Sequence, residues 1–238
     1  MTSKKPNKKY LIGLAVALGL PLFCYFIAKA LSKDKIHKPK YYIAEGVKKD
    51  TINGKVQDDT IYHTVADLQL TNQLGDKIST DSSLNGKILV FNFFFVNCPT
   101  ICPRLTTNIG MLQNAFKKNP KLEHSLDTSV QFISITVNPG HDTVPVLRTY
   151  ADRYHVNHDH WWFLTGDKKT IYDFARKELA VIPYPGDGGA DDFIHTEKLV
   201  LVDKNRKIRG YYSGLDSLAI RKCADDIVLL TMEKERRK

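Results

Sequence analysis

The first 40 residues contain no arginine and only one acid, Asp34, against nine lysines. They carry a net charge of +8 out of the chain's +9, which leaves +1 for the remaining 198 residues. A domain that binds nucleic acid concentrates Lys and Arg on one of its faces. The basic character therefore belongs to the N-terminal tail, and a nucleic-acid partner is excluded.

Internal repeats and low-complexity tracts are also absent, which excludes a solenoid. The chain of 238 residues is long enough for one sizeable domain with appendages, and its 42% hydrophobic content is typical of a globular protein.

A single long uncharged run, LIGLAVALGLPLFCYFIA, occupies residues 11–28. As a helix it would span roughly 27 Å, enough for a bilayer core. No A-x-A cleavage site follows it, and bulky Phe23 before Cys24 argues against a lipoprotein signal. An uncleaved membrane anchor is therefore favoured over a cleaved signal peptide. Lysines flank both ends, so charge leaves the orientation open.

The remaining pattern divides the chain into four parts. We predict an N-terminal tail over residues 1–10, the transmembrane anchor over 11–28, a polar tether over 29–60 with a short extended segment at 41–43, and a folded domain over 61–238.

Within the domain, residues 65–79 predict a hairpin with its turn at 72–76, and the apolar run 87–96 predicts a central strand covered on both faces. The alternation of elements predicts an α/β fold, a mixed sheet flanked by helices. The further strands are expected at 130–137, 161–164, 197–203 and 207–212, and the helices at 100–118, 144–154, 168–179 and 215–235.

Two of the four cysteines, Cys98 and Cys102, stand in the segment N-C-P-T-I-C-P, where the central strand gives way to a helix. A helix N-terminus favours thiolate over thiol. The i, i+4 spacing puts both sulfurs on one helical face, which suits either a disulfide or two ligands to one ion. Two buried structural cysteines are the alternative. Cys24 and Cys223 are interpreted as structural.

Two thiolates need a further ligand, and His195, directly before a strand, is the best candidate, although a lone histidine there is more often a turn residue. Two thiolates and one imidazole suit copper, especially Cu(I), and can also hold zinc. The cluster of His155, His158 and His160 is interpreted as a solvated loop, and the following Trp161 and Trp162 as packing residues.

Four segments, taken in order, resemble the Sco/SenC family: F-x-N-C-P-T-I-C-P, I-S-I-T-V-N-P-G-H-D-T, L-T-G and D-D-F-I-H-T. The resemblance covers roughly residues 64–230. It implies a thioredoxin-like fold and one copper per chain, Cu(I) or Cu(II), for assembly of the copper centre of cytochrome c oxidase.

Carried over by position, the resemblance makes Cys98 and Cys102 the thiolate ligands and a redox disulfide pair, and His195 the imidazole ligand. Two residues depart from the family pattern. Asn138 stands where the family usually has Asp, and Ile194 stands where it often has Asp before the histidine. Both changes remove a carboxylate near the site.

Two functions are open. A copper chaperone would pass its ion to the copper-bearing subunit of cytochrome c oxidase and would not be an enzyme. A thiol–disulfide oxidoreductase would keep the oxidase cysteines reduced, but such proteins usually have C-x-x-C, whereas this chain has C-x-x-x-C. A redox sensor or a peroxide-handling protein is a more distant alternative. An upstream copper donor or thiol reductant is a further expected partner.

The expected location is a bacterial inner membrane, single-pass, with the domain in the periplasm. The mitochondrial inner membrane facing the intermembrane space is the alternative. The Gly-, Pro- and Asp-rich stretch at residues 183–192 is expected to be mobile, which would let His195 swing in and out of the site.

Overall fold

The computed structural model describes residues 8–31, 38–52, 55–116, 126–182 and 196–233. The chain divides into two units, residues 1–38 and residues 39–238. The first unit contains helix α1 (Lys8–Leu31), which includes Pro21. Its described large apolar side chains are 41–66% exposed.

Within the described ranges, no helix combines the length and the apolar character that crossing a membrane requires. The predicted anchor at residues 11–28 is thus not confirmed.

The second unit is built on a seven-stranded sheet in the order β4-β3-β7-β6-β5-β8-β9. Neighbouring strands β5, β6 and β7 are parallel, and the other pairs of the sheet are antiparallel. The strands are β3 (Gln69–Asn72), β4 (Lys77–Ser79), β5 (Ile88–Phe94), β6 (Val130–Thr136), β7 (Trp161–Thr165), β8 (Lys198–Val202) and β9 (Ile208–Ser213).

Helices cover this sheet, as the sequence predicted for a mixed α/β fold. They are α2 (Thr80–Ser83), α3 (Ile101–Ala115), α4 (Val144–Arg153), α5 (Lys168–Asp173) and α6 (Ser217–Met232), with a 3-10 turn at Leu126–Ser129. The helix predicted at 168–179 changes from α to π geometry at Phe174–Glu178.

Strand β5 is buried along its whole length, which confirms the predicted central strand. Its side chains alternate between two apolar clusters, because successive residues of a strand point to opposite faces. Val90 and Phe94 join the cluster that also contains Leu105 of α3. Phe91 and Phe93 join the cluster on the other face. The sheet is therefore covered on both sides.

The predicted hairpin at residues 65–79 is confirmed by the pairing of β3 with β4. The Asn72 side-chain oxygen accepts hydrogen bonds from the N–H groups of Leu74 and Asp76, each at 2.9 Å. Gly75 has a φ of +89°, a conformation that favours glycine. The turn thus combines an Asn side chain that bonds to the backbone and a glycine that tolerates positive φ.

Much of the predicted tether is a second, separate sheet. Strands β1 (Ala44–Ile52) and β2 (Lys55–Tyr62) pair antiparallel over their length. The prediction of a polar tether over residues 29–60 missed them because these strands carry few apolar residues and show no hydrophobic alternation. The dipeptide Asn53-Gly54, a strong hairpin signal, was the available clue.

Arg209 links β9 to both ends of the second unit. Its guanidinium donates 2.8 Å hydrogen bonds to the carboxylates of Asp203 and Glu233, and it also donates to the Pro39 carbonyl. The side chain is 2% exposed and lies 4.1 Å from the ring centroid of Tyr41. Removing one partner of such a buried ion pair leaves the other charge buried and uncompensated, which destabilises the folded protein.

Replacing Arg209 with Met should lower the free energy of unfolding by about 3 kcal/mol, because it leaves the buried Asp203 carboxylate without its cation. Urea denaturation measures this change. The matched control is Arg148→Met, which removes an exposed i, i+4 pair with Asp152 and should lower the free energy of unfolding far less, because exposed ion pairs contribute little. Equal losses of unfolding free energy in the two variants would contradict the stabilising role of the Arg209 ion pairs.

Candidate metal centre

The candidate site lies at one edge of the sheet, where three strands bring their ends together. Strands β5 and β6 are parallel and in register from Ile88 opposite Val130 to Phe94 opposite Thr136, so their carboxyl ends meet. The Val137 N–H then donates to the Phe94 carbonyl at 2.9 Å and holds the two outgoing loops together. Strand β8 is antiparallel to β5, so β8 begins at this same edge.

Cys98 and Cys102 follow β5 directly. Cys98 lies in the loop, and Cys102 lies in the first turn of α3, with 7% and 3% of their surfaces exposed. Both thiols are free. The Cys102 N–H points at the Cys98 sulfur, with the nitrogen 3.4 Å from Sγ. The structure thus brings the two predicted thiol ligands together at the helix N-terminus.

The start of α3 explains why the Cys98 sulfur occupies this place. The first N–H groups of a helix have no partner within the helix and usually receive a capping side chain. Thr100, at the N-cap position, makes no such side-chain bond. The Cys98 sulfur accepts from the helix instead, so the capping position is filled by a group that can bind metal.

The two thiols differ in acidity. Burial raises the pKa of Cys98, but hydrogen bonds from Cys102 and from the N–H groups of Thr100 and Ile101 outweigh it and leave the pKa below its usual value. Burial raises the pKa of Cys102 to about 12, and the neighbouring Cys98 and Asp142 add to the effect. Cys98 is therefore the thiol that ionises first.

A buried carboxylate, which the sequence analysis did not single out, supports the loop before Cys98. Asp142 has no exposed side-chain surface. Its Oδ2 accepts from the Val96 N–H at 3.1 Å and from the Thr136 hydroxyl at 2.5 Å. Asp142 therefore joins the end of β6 to the stretch that leads into the cysteine pair.

The loop that carries Asp142, residues 138–143, is closed by backbone bonds. The Asn138 carbonyl accepts the N–H groups of His141 and Asp142, at 3.1 and 2.9 Å. The Asn138 N–H donates to the Thr136 hydroxyl at 3.0 Å. Asn138, one of the two residues that depart from the family pattern, therefore lies at the start of a tight turn. This turn holds His141 and Asp142 next to the loop that precedes Cys98.

The predicted third ligand, His195, lies outside the described residues, as do Ile194 and the stretch 183–192. The described chain resumes at Thr196, just before β8. The Glu197 carbonyl accepts the Gly214 N–H at 2.9 Å, and a Cβ on Gly214 would come within 2.1 Å of the Leu105 side chain. The start of β8 is thereby tied close to α3, the helix that carries Cys102.

No group of three or more His, Cys, Asp or Glu side chains in the described ranges is arranged to hold a metal ion. Cys223 is fully buried in α6, where burial raises its pKa, in agreement with a structural role. Cys24 is exposed on α1.

The predicted histidine loop lies at the other end of the sheet. It precedes β7, whose first residue Trp161 pairs with Phe132, near the start of β6. His155 is exposed, and His158 is 2.9 Å from the Asp152 carboxylate. Trp161 is buried and belongs to the core, as predicted.

Comparison with known proteins gives one consistent result. The SCO1/SenC family model matches residues 57–230. The SCO1 protein homolog of Bacillus subtilis is 31% identical over 177 residues, which cover 74% of this chain and 84% of that protein.

Solved structures agree. BsSco, described as a member of the Sco family of cytochrome c oxidase assembly proteins with a disulfide switch, aligns with a TM-score of 0.59 and 29% identity over 72% of this chain and 95% of its own. ScoI of Bradyrhizobium japonicum, solved with copper bound, has a TM-score of 0.53 and 23% identity over 70% of this chain and 99% of its own, which shows a shared fold. These neighbours and the mixed sheet flanked by helices fit a thioredoxin-like α/β fold. Since the family model spans most of the chain and the relatives share its folded domain, the chain belongs to the SCO1/SenC family.

Proposed function

We propose that this protein is a metallochaperone that binds one copper ion through Cys98, Cys102 and His195 and delivers it to the copper-bearing subunit of cytochrome c oxidase. The observation that carries the proposal is the pair of buried thiols joined through the Cys102 amide. The relatives support it, since BsSco is an oxidase assembly protein and ScoI binds copper.

The donor set fits copper better than a hard cation. Thiolates are soft ligands that select Cu(I), imidazole suits copper and zinc, and the set also accepts Cu(II) or zinc. The hydrogen bonds around Cys98 stabilise its thiolate before any metal arrives. Cys102 keeps its proton at neutral pH and loses it when the metal binds. Loading therefore releases the Cys102 proton, and unloading returns it.

A second function is thiol–disulfide exchange on the cysteines of the oxidase. The difference in pKa between the two thiols favours it, because the thiol with the lowered pKa is the attacking one and the buried partner resolves the mixed disulfide. The disulfide switch described for BsSco is consistent with such chemistry. Both functions would use the same cysteine pair, but only copper binding gives His195 a role.

We further propose attachment to a bacterial inner membrane through residues 11–28, with the domain in the periplasm. The mitochondrial inner membrane facing the intermembrane space is the alternative. The long uncharged run supports attachment. A thiol pair that can form a disulfide suits an oxidising compartment.

In the reduced, metal-free protein, iodoacetamide should modify Cys98 before Cys102. The lowered pKa of Cys98 places its thiolate at lower pH, whereas Cys102 stays protonated until the pH approaches about 12. The rate at Cys98 should therefore level off at a lower pH than the rate at an ordinary thiol, while the rate at Cys102 keeps rising with pH. Peptide mass spectrometry at a series of pH values measures both rates, with urea-unfolded protein as the control in which they converge. Faster labelling of Cys102 than of Cys98 would contradict the assignment of the lower pKa to Cys98.

Titration of the reduced full chain with copper should give one copper per chain. A thiolate-to-Cu(II) charge-transfer band should appear and should be lost in Cys98→Ala and in Cys102→Ala, because each removes a sulfur ligand. Absorption spectra and metal analysis measure this. The matched control is Cys223→Ala, which removes a buried cysteine of α6 and should leave the stoichiometry at one. No copper bound by the unmodified chain would overturn the proposal.

The variant His195→Ala separates the two functions. Copper affinity should fall sharply under the chaperone proposal, because the imidazole ligand is lost, while reduction of a disulfide substrate should survive. Competition with a chelator and a thiol-exchange assay on the same preparation measure the two activities. Unchanged affinity together with rapid exchange would favour the oxidoreductase.

A further inference from the structure

His141 and Asp142, in the loop that closes β6, form a pair beside the residues that precede Cys98. Asp142 is fixed in place, because it is buried and its Oδ2 is held by the Val96 N–H and the Thr136 hydroxyl. Its other oxygen, Oδ1, lies 2.8 Å from Nδ1 of His141. The buried carboxylate therefore orients the imidazole.

This contact determines which ring nitrogen is available. A carboxylate oxygen accepts hydrogen bonds, so in this contact the Nδ1–H of His141 donates to Asp142 and Nε2 carries the lone pair. The Asn97 side-chain nitrogen, a donor, lies 3.0 Å from that Nε2. A carboxylate on one ring nitrogen and a lone pair on the other is the arrangement that proteins use for histidine ligands of metals.

The imidazole of His141 and the two thiols differ in their exposure to solvent. The His141 side chain is 47% exposed, and its partner Asn97 is exposed as well. Cys98, the next residue along the chain from Asn97, is buried, as is Cys102. The imidazole is therefore open to an ion in solvent, whereas both sulfurs are largely shielded from it.

We propose that His141 is a docking ligand, which takes the incoming copper ion on Nε2 and passes it to Cys98. The inference rests on the proposed copper-binding function and extends it by one step. On docking, the Asn97 hydrogen bond to Nε2 breaks, and a nitrogen–copper bond replaces one bond between copper and the ligand that delivers it. On transfer, the Cys98 sulfur bonds to copper, the nitrogen–copper bond breaks, and any thiol proton leaves to solvent. Neither step changes an oxidation state.

The chain provides a matched control for this histidine. His158 is also part-exposed and is also bound to a carboxylate, with Nε2 2.9 Å from Asp152 Oδ1. It precedes β7, at the opposite end of the parallel strands from the cysteines. Any general effect of losing a carboxylate-bound surface histidine should appear equally at His158.

The first test is the rate at which the reduced full chain takes Cu(I) from its bicinchoninate complex, followed by stopped-flow absorption. His141→Ala should slow uptake about tenfold, with unchanged final copper content and affinity, whereas His158→Ala should load as fast as the unmodified chain. Equal rates for His141→Ala and the unmodified chain would overturn the inference and leave the proposed function intact. Failure of the unmodified chain to take copper would overturn the proposed function itself.

A second measurement separates docking from a role in holding the loop. In a Cys24→Ser, Cys98→Ser, Cys102→Ser variant labelled with ¹⁵N-histidine, Ag(I), which mimics Cu(I), meets no exposed thiol and cannot move on to the sulfurs of the site. Its addition should shift the Nε2 resonance of His141 and leave those of His158 in place. Slow uptake in His141→Ala combined with an unmoved His141 resonance would show that the residue only supports the loop, and would overturn the docking role.

Discussion

The arrangement of β5 between β6 and β8 is the constraint on which the site depends. Because β5 runs parallel to β6 and antiparallel to β8, the ends of the first two strands and the start of the third share one edge. Backbone bonding continues past the strands through the Val137 N–H and the Phe94 carbonyl. A loop that carries thiols and a loop that carries a carboxylate and an imidazole are thereby brought together, although some 40 residues separate them.

Burial and hydrogen bonding give the two cysteines different acidities. Withdrawal from water alone would raise the pKa of both thiols. Only Cys98 receives the N–H groups at the start of α3, so its pKa falls while that of Cys102 rises. The pair holds one sulfur that loses its proton more readily and one that keeps it, which suits stepwise binding of a soft ion and also suits disulfide exchange. The same geometry therefore underlies both proposed functions.

Local sequence patterns predicted most of the sheet. The apolar run at 87–96 and the Asn72–Asp76 turn lead to β5 and the β3–β4 hairpin, because continuous burial and turn chemistry are local properties. The β1–β2 sheet was missed, since its pairing depends on backbone bonds between strands without apolar alternation. Asp142 was not singled out for a similar reason. The role of an aspartate in a loop depends on the segment that the loop contacts, which here is the one containing Val96.

The sequence by itself determined most of the elements, the family resemblance and the two thiols at a helix N-terminus, because spacing along a strand and a helix sets which side chains share a face. It also supplied His195 as the expected third ligand. Only the tertiary structure decided that the Cys98 sulfur caps α3, that the two thiols differ in acidity, and that Asp142 orients a half-exposed His141 beside Asn97. Those properties arise from contacts between segments distant in the chain, and such contacts exist only once the strands have paired.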